Sequence, residues 1–138
     1  MTYEEVLAKA QIVRQNLAEL GQIPQGSLPE FTADARNLQA TLHLLQTSIQ
    51  ALIDIGSFLC SRLGLRTPQS SHEVFVLLEE DRRLPKGTAD RLLPMVGFRN
   101  RVVHLYDRID PVRVYEVLTR SRADLADSLY LLLDIEAG

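Results

Sequence analysis

Apolar residues recur at intervals of three and four along almost the whole chain, whereas the strict alternation typical of strands is nearly absent. This periodicity predicts an all-α fold. A first helix is expected from about Thr2, a good N-cap residue, to Leu20. Gly21 should end it, because a loop containing Pro24 and Pro29 follows.

The second predicted helix has the most regular apolar seam in the chain and should be long and packed lengthwise. Its seam residues are Phe31, Ala35, Leu38, Leu42, Leu45, Ile49, Leu52, Gly56, Leu59 and Leu63. A second apolar stripe runs beside this seam and consists of Leu44, Ala51, Ile55 and Phe58. The stripe requires cover either from another helix of the same chain or from a second subunit, and core packing within the chain is the favoured interpretation.

Three further helices complete the predicted fold. A short helix is expected from about Ser71 through Arg82, and a longer one from about Thr88 through Val103. The last should open at Asp110-Pro111, an N-cap followed by proline, and run to about Ile135. Four long helices and one short helix imply an up-and-down bundle, with residues 1–138 forming a single domain.

Composition and charge narrow the classes of function. The chain has one cysteine, Cys60, so it has neither an intramolecular disulfide nor a cysteine-based metal site. No long apolar run suggests a membrane span, and Glu4 and Glu5 do not suit a signal peptide, so a cytoplasmic location is expected. The net charge of -3 argues against a protein that coats nucleic acid through bulk electrostatics.

The charge is nevertheless unevenly distributed. Residues 82–113 contain eight basic and three acidic residues, a net charge of +5 that leaves -8 on the rest of the chain. A basic segment on an acidic body is typical of a protein that binds a confined anionic ligand, although a solvated arginine-rich helix face would show the same pattern.

The end of the fourth predicted helix gathers polar, aromatic and titratable residues in the stretch 98–106, FRNRVVHLY. No phosphate-binding glycine loop or metalloprotease histidine pair occurs elsewhere. The two other histidines, His43 and His72, are interpreted as structural. Within the stretch, Arg99 and His104 form an R-x4-H pattern that Tyr106 extends to R-x4-H-x-Y.

This motif, together with the five-helix layout, resembles the HepT family of HEPN domains, and the resemblance covers nearly the whole chain. It implies the toxin of a type VII (HEPN/MNT) toxin-antitoxin system, a homodimeric endoribonuclease that uses neither metal nor cofactor. It also implies a partner, an MntA-like minimal nucleotidyltransferase, which neutralises the toxin by adding AMP to the motif tyrosine, here Tyr106.

The residue types suit the cleavage of RNA. A histidine titrates near neutral pH, so His104 is the expected general base or acid. Arginine offers a planar cation to phosphate, so Arg99 is expected to bind the scissile group, with Arg101 adding charge. Asn100 lies one helical turn before His104, where it could orient the imidazole or donate to the phosphate.

Arg99 and His104 lie about 140° apart around a regular helix and do not share a narrow face. Three arrangements would bring them together: a helix that loosens before His104, an arginine side chain that reaches around, or a site completed by a second subunit. Two rival functions fit the same residues. One is a non-catalytic protein that binds and regulates a nucleotidyltransferase, and the other is a dimeric domain that only binds a nucleotide.

Overall fold

The protein folds into helices, and the computed structural model describes residues 1–104 and 109–137 of it. No strand occurs within those ranges, so the predicted all-α fold is confirmed. The helices are α1 (Tyr3–Gln22), α2 (Leu28–Thr32), α3 (Ala35–Arg62), α4 (Ser71–Glu80), α5 (Thr88–His104), α6 (Pro111–Arg120) and α7 (Arg122–Ala137).

Side-chain caps account for where several helices begin. Thr2 and Glu5 form a capping box at the start of α1, each accepting a hydrogen bond from the backbone N–H of the other. Asp110 caps α6 by accepting from the N–H of Val112, and Pro111 occupies the first turn. The predicted starts at Thr2 and Asp110 are therefore confirmed.

The long helix α3 is the centre of the bundle and contacts every other helix that the structure describes. It is long and apolar enough to cross a membrane, but 61% of its most apolar window is buried inside the fold. The second stripe is covered by the same chain, because Leu44, Ala51 and Ile55 are buried and Phe58 packs against the core. The apolarity of α3 thus follows from its central position.

Two predicted helices are each divided in the structure. The expected second helix starts only at Ala35, where Asp34 supplies a cap, and Phe31 lies in the separate short helix α2. The expected fifth helix is interrupted at Ser121, between α6 and α7. Ser121 occupies the seam position between Leu118 and Leu125, so the apolar pattern loses its buried residue where the helix breaks.

Helix α4 fixes the first turn of α5. The Nε2 atom of His72 lies 2.9 Å from the carbonyl oxygen of Ala89, and a carboxylate oxygen of Glu79 accepts from the Ala89 N–H at 2.9 Å. Hydrogen bonds from this first turn lower the pKa of Glu79 from its ordinary value. Both side chains of α4 therefore hold the helix whose other end carries the R-x4-H motif.

Helices α3 and α4 approach closely at Gly56. A Cβ atom added there would lie 2.5 Å from Cγ1 of Val74, well inside normal contact distance. Val74 is itself buried in the core. The absence of a side chain at Gly56 thus permits the close packing of these two helices.

Candidate functional site

The predicted site residues occupy the last turns of α5. Arg99 is half-buried, whereas Asn100 and Arg101 are exposed. The backbone of His104 closes the helix, and its side chain lies outside the described part of the chain. Tyr106, the predicted site of AMP addition, also lies outside the described residues. The structure thus describes the side chains at the start of the motif, and the roles of the motif residues remain predictions.

The backbone of α5 remains α-helical through His104. This rules out the first of the three arrangements, a helix that loosens between Arg99 and His104. Asn100 and His104 are one turn apart and share a face of the helix. The guanidinium of Arg99 donates from Nη1 to Oδ1 of Asn100 at 3.1 Å, so its outer edge turns toward that face. The other two arrangements, an arginine side chain that reaches around the helix and a site completed by a second subunit, are both compatible with this backbone.

The Arg99 guanidinium is held by two neutral carboxamide oxygens. Nη1 donates to Asn100, and Nη2 donates to Oε1 of Gln50 on α3. Its Nε atom is buried and has no hydrogen-bond partner among residues 1–104 and 109–137. Across the same residues no carboxylate forms an ion pair with Arg99. Within the described residues, the positive charge of this side chain is therefore held in place without an acidic partner.

Sequence reasoning found Asn100 but missed Gln50 and the two residues linked to it. Gln50 donates from Nε2 to Oδ1 of Asp54 at 2.8 Å, and Oδ2 of Asp54 pairs with Nζ of Lys9 at 2.9 Å. The available signal was a glutamine and an aspartate four residues apart in α3. That spacing places both on one face of α3, but it does not show which helix they meet.

A polar groove lies beside this network, between α1 and α3. Its volume is about 350 Å³, and its lining includes Lys9, Asn16, His43, Gln50 and Asp54. His43 is exposed there and is not buried in the core. Gln50 both lines the groove and contacts Arg99, so the groove adjoins the candidate site.

The basic segment seen in the sequence does not form one patch. Arg82, Arg83 and Lys86 line a larger hollow of about 830 Å³ near the start of α5, together with residues of α7. Arg99 and Arg101 lie at the other end of the helix, whose 17 residues span roughly 25 Å. The larger hollow contains none of the predicted site residues and also has acidic lining from Glu79, Glu80 and Asp134.

No cluster of three or more histidine, cysteine, aspartate or glutamate side chains that could hold a metal ion occurs in the described part of the chain. Cys60 is buried, and its thiol lies 3.5 Å from the carbonyl oxygen of Val74.

A sequence model of the family described as "Ribonuclease HepT-like" matches residues 13–131, which is most of the chain. The chain belongs to the HepT-like ribonuclease family. The predicted membership is confirmed, and the match includes the complete R-x4-H-x-Y motif.

Two characterised members of the HepT-like family are similar in sequence. The tRNA nuclease HepT of Aphanizomenon flos-aquae is 30% identical over 111 residues, covering 80% of this chain and 76% of that protein. The mRNA nuclease HepT of Shewanella oneidensis is 28% identical over 105 residues, covering 76% and 78% of the two chains. The HepT-like family therefore includes nucleases with different RNA targets.

A solved structure shows the same fold. It is the tri-AMPylated HEPN toxin of Shewanella oneidensis in complex with its MNT antitoxin. The TM-score is 0.84 at 25% identity, and the similarity covers 97% of this chain and 99% of that one. The predicted HEPN-like architecture is thus confirmed over nearly the full length.

Proposed function

We propose that this HepT-like protein is the toxin of a type VII toxin-antitoxin system and acts in the cytoplasm as a metal-independent endoribonuclease. Residues 1–138 form a single HEPN domain in this proposal. The observation that carries it is the state of Arg99, whose guanidinium is held by two neutral amides and by no carboxylate of the described chain. A fixed and uncompensated cation is the group that binding of a phosphodiester requires.

The reaction is an internal displacement at phosphorus. The ribose 2'-oxygen forms a bond to the adjacent phosphorus, the bond to the 5'-oxygen of the next nucleotide breaks, and a 2',3'-cyclic phosphate and a 5'-hydroxyl result. His104 takes the proton from the attacking hydroxyl or supplies one to the departing oxygen. Arg99 binds the phosphoryl oxygens as their negative charge grows, and Arg101 adds to the local positive potential.

A homodimer completes the site in this proposal. Arg99 and His104 project about 140° apart from an unbroken helix, so two copies that meet at the ends of α5 can place the arginine of one beside the histidine of the other. Both copies would then contribute Arg99 and Arg101 to one cleft. Asn100, which contacts Arg99, keeps its amide N–H groups for a phosphate oxygen.

The proposal includes neutralisation by an MntA-like nucleotidyltransferase. The phenolic oxygen of Tyr106 would attack the α-phosphate of ATP, forming the phosphodiester to AMP and releasing pyrophosphate. The added phosphate carries a negative charge two residues after His104, where it would compete with RNA for Arg99. The complex of the Shewanella toxin with its MNT antitoxin supports such a partner for this chain.

The test is cleavage of total cellular RNA by the purified protein in the presence of a chelator. Arg99→Ala and His104→Ala should each reduce cleavage to a small residual rate while leaving the helical content and the oligomeric state unchanged. Arg91→Ala is the matched control, because Arg91 is exposed on the same helix but lies two turns before Arg99. It should cleave like the wild type.

Equal cleavage by wild type and both site variants would refute the assignment of Arg99 and His104. Intact RNA with every protein, together with tight binding of a nucleotidyltransferase, would instead establish the non-catalytic regulatory role.

A further inference from the structure

A continuous chain of polar contacts connects α1, α3 and α5. It runs from Nζ of Lys9 to Asp54, from Asp54 to the amide of Gln50, and from Gln50 to the guanidinium of Arg99. Lys9, Asp54 and Gln50 are each partly buried. The contacts thus join the candidate catalytic arginine to a helix that contributes nothing else to the motif.

The chain of contacts fixes which way the Gln50 amide points. A carboxylate accepts hydrogen bonds and donates none, so the NH2 group of Gln50 must face Asp54. The amide oxygen then faces Arg99, whose guanidinium can only donate. Lys9 pairs with the second carboxylate oxygen of Asp54 and so holds that group in place.

A neutral acceptor is well suited to this position. A glutamate in place of Gln50 would form an ion pair with Arg99 and offset the charge that the phosphodiester needs. The amide oxygen orients the guanidinium through one charge-assisted hydrogen bond and leaves its net charge unchanged.

The fold itself does not depend on this contact. Helix α5 is anchored to the core by large buried side chains, namely Leu92, Met95, Val96, Phe98 and Val102. Replacing polar atoms by apolar atoms at one partly buried position changes the free energy of folding little, compared with the contribution of those buried side chains. The function of the Gln50 amide must then be sought at Arg99.

We infer that Gln50 is a positioning residue that orients Arg99 for RNA cleavage, and that Asp54 and Lys9 set the orientation of its amide. The catalytic part of this inference rests on the proposed function. The positioning of the guanidinium can be measured without any cleavage.

The decisive variant is Gln50→Leu, which has nearly the same shape and no acceptor. Its kcat should fall about tenfold or more, as expected for loss of a hydrogen bond to a charged group, with a smaller change in KM. Asp54→Asn should have a similar effect, because an asparagine amide can donate to Gln50 and turn its NH2 group toward Arg99. Gln46→Leu is the matched control, being the same change one turn earlier on α3, and should leave kcat unchanged.

A double variant separates positioning from general stability. In the Arg99→Ala background, Gln50→Leu should cause no further loss of kcat, because its only route to the reaction is already absent. A further loss equal to that seen in the wild-type background would overturn the inference.

Side-chain ¹⁵N–¹H spectra of arginine give a readout that needs no activity. The Nη resonances of Arg99 should be resolved in the wild type, where rotation of the guanidinium is hindered, and should broaden or collapse in Gln50→Leu but not in Gln46→Leu. Unchanged Arg99 resonances in Gln50→Leu would refute the inference. A wild type that cleaves no RNA, with Arg99 resonances that do respond to Gln50→Leu, would instead refute the proposed function alone.

Discussion

Gly56→Ala should destabilise the protein although alanine is the better helix former. The new Cβ would lie 2.5 Å from Cγ1 of Val74, and Phe75 and Leu78 lie within ordinary contact distance on the same side. Val74 is buried and β-branched, so it cannot turn aside without a shift of α4. The contact must therefore be relieved by moving one helix relative to the other.

The magnitude follows from two opposing effects. Overpacking of a filled core costs about 1–3 kcal/mol, and replacing glycine by alanine within a helix returns up to about 1 kcal/mol. From the middle of the overpacking range, about 2 kcal/mol, the net loss in free energy of unfolding should be about 1–2 kcal/mol. For a chain of this length that corresponds to a fall in Tm of roughly 3–8 °C.

The assay is urea unfolding followed by circular dichroism at a fixed protein concentration. Gly97→Ala is the control, since Gly97 is also helical but its added Cβ meets nothing within 4 Å. It should raise stability by about 0.5–1 kcal/mol. Shortening the neighbour with Val74→Ala should reduce the cost of Gly56→Ala. A Gly56→Ala protein as stable as Gly97→Ala would show that α3 and α4 do not approach closely at this point.

Two further predictions concern titratable groups near α4. Glu79→Gln should lower stability at neutral pH, because the folded-state pKa of Glu79 is lowered by its hydrogen bonds to the first turn of α5. A lowered pKa gives stability that is present above the unfolded value and lost as pH falls through the folded one, so the difference between variant and wild type in thermal melts should vanish in acid. An equal difference in Tm between variant and wild type at every pH would contradict this. Burial raises the pKa of the Cys60 thiol. The thiol should therefore react with a disulfide reagent only as fast as the protein unfolds. Rapid labelling of the native protein would contradict the buried placement.

Much of the fold could be predicted because burial imposes a regular spacing on the sequence. Of the ten predicted seam residues, seven are buried in the structure, Leu38 and Leu63 are partly buried, and Ala35 is exposed. The starts at Thr2 and Asp110 follow from local capping chemistry. The breaks before Ala35 and at Ser121 were not predicted, since the apolar spacing continues across the first and misses a single position at the second. Each break depends on a single residue, a cap at Asp34 and a polar residue at one seam position. The periodicity that suggested single long helices averages over many residues and does not register such single positions.

The candidate site also combines residues that local sequence can identify with residues that only tertiary packing brings in. The motif residues Arg99 and Asn100 are adjacent in sequence and could be singled out together. Gln50 lies 49 positions before Arg99, and a polar residue on a helix predicts only a solvated face until the packing of α3 against α5 is known. Contacts of that separation arise from the tertiary structure and leave no local pattern.

The central position of α3 also has a consequence for synthesis on the ribosome. Of the helices that cover it, α1 and α2 are made before it and α4 to α7 after it, so an apolar helix long enough to resemble a membrane span is left partly uncovered as it emerges. Nascent chains that stall before α5 would expose this surface to chaperones or to misdirected membrane insertion. Arg99 lies on α5 and its partner Gln50 on α3. The candidate site therefore cannot assemble on the ribosome until α5 has been synthesised.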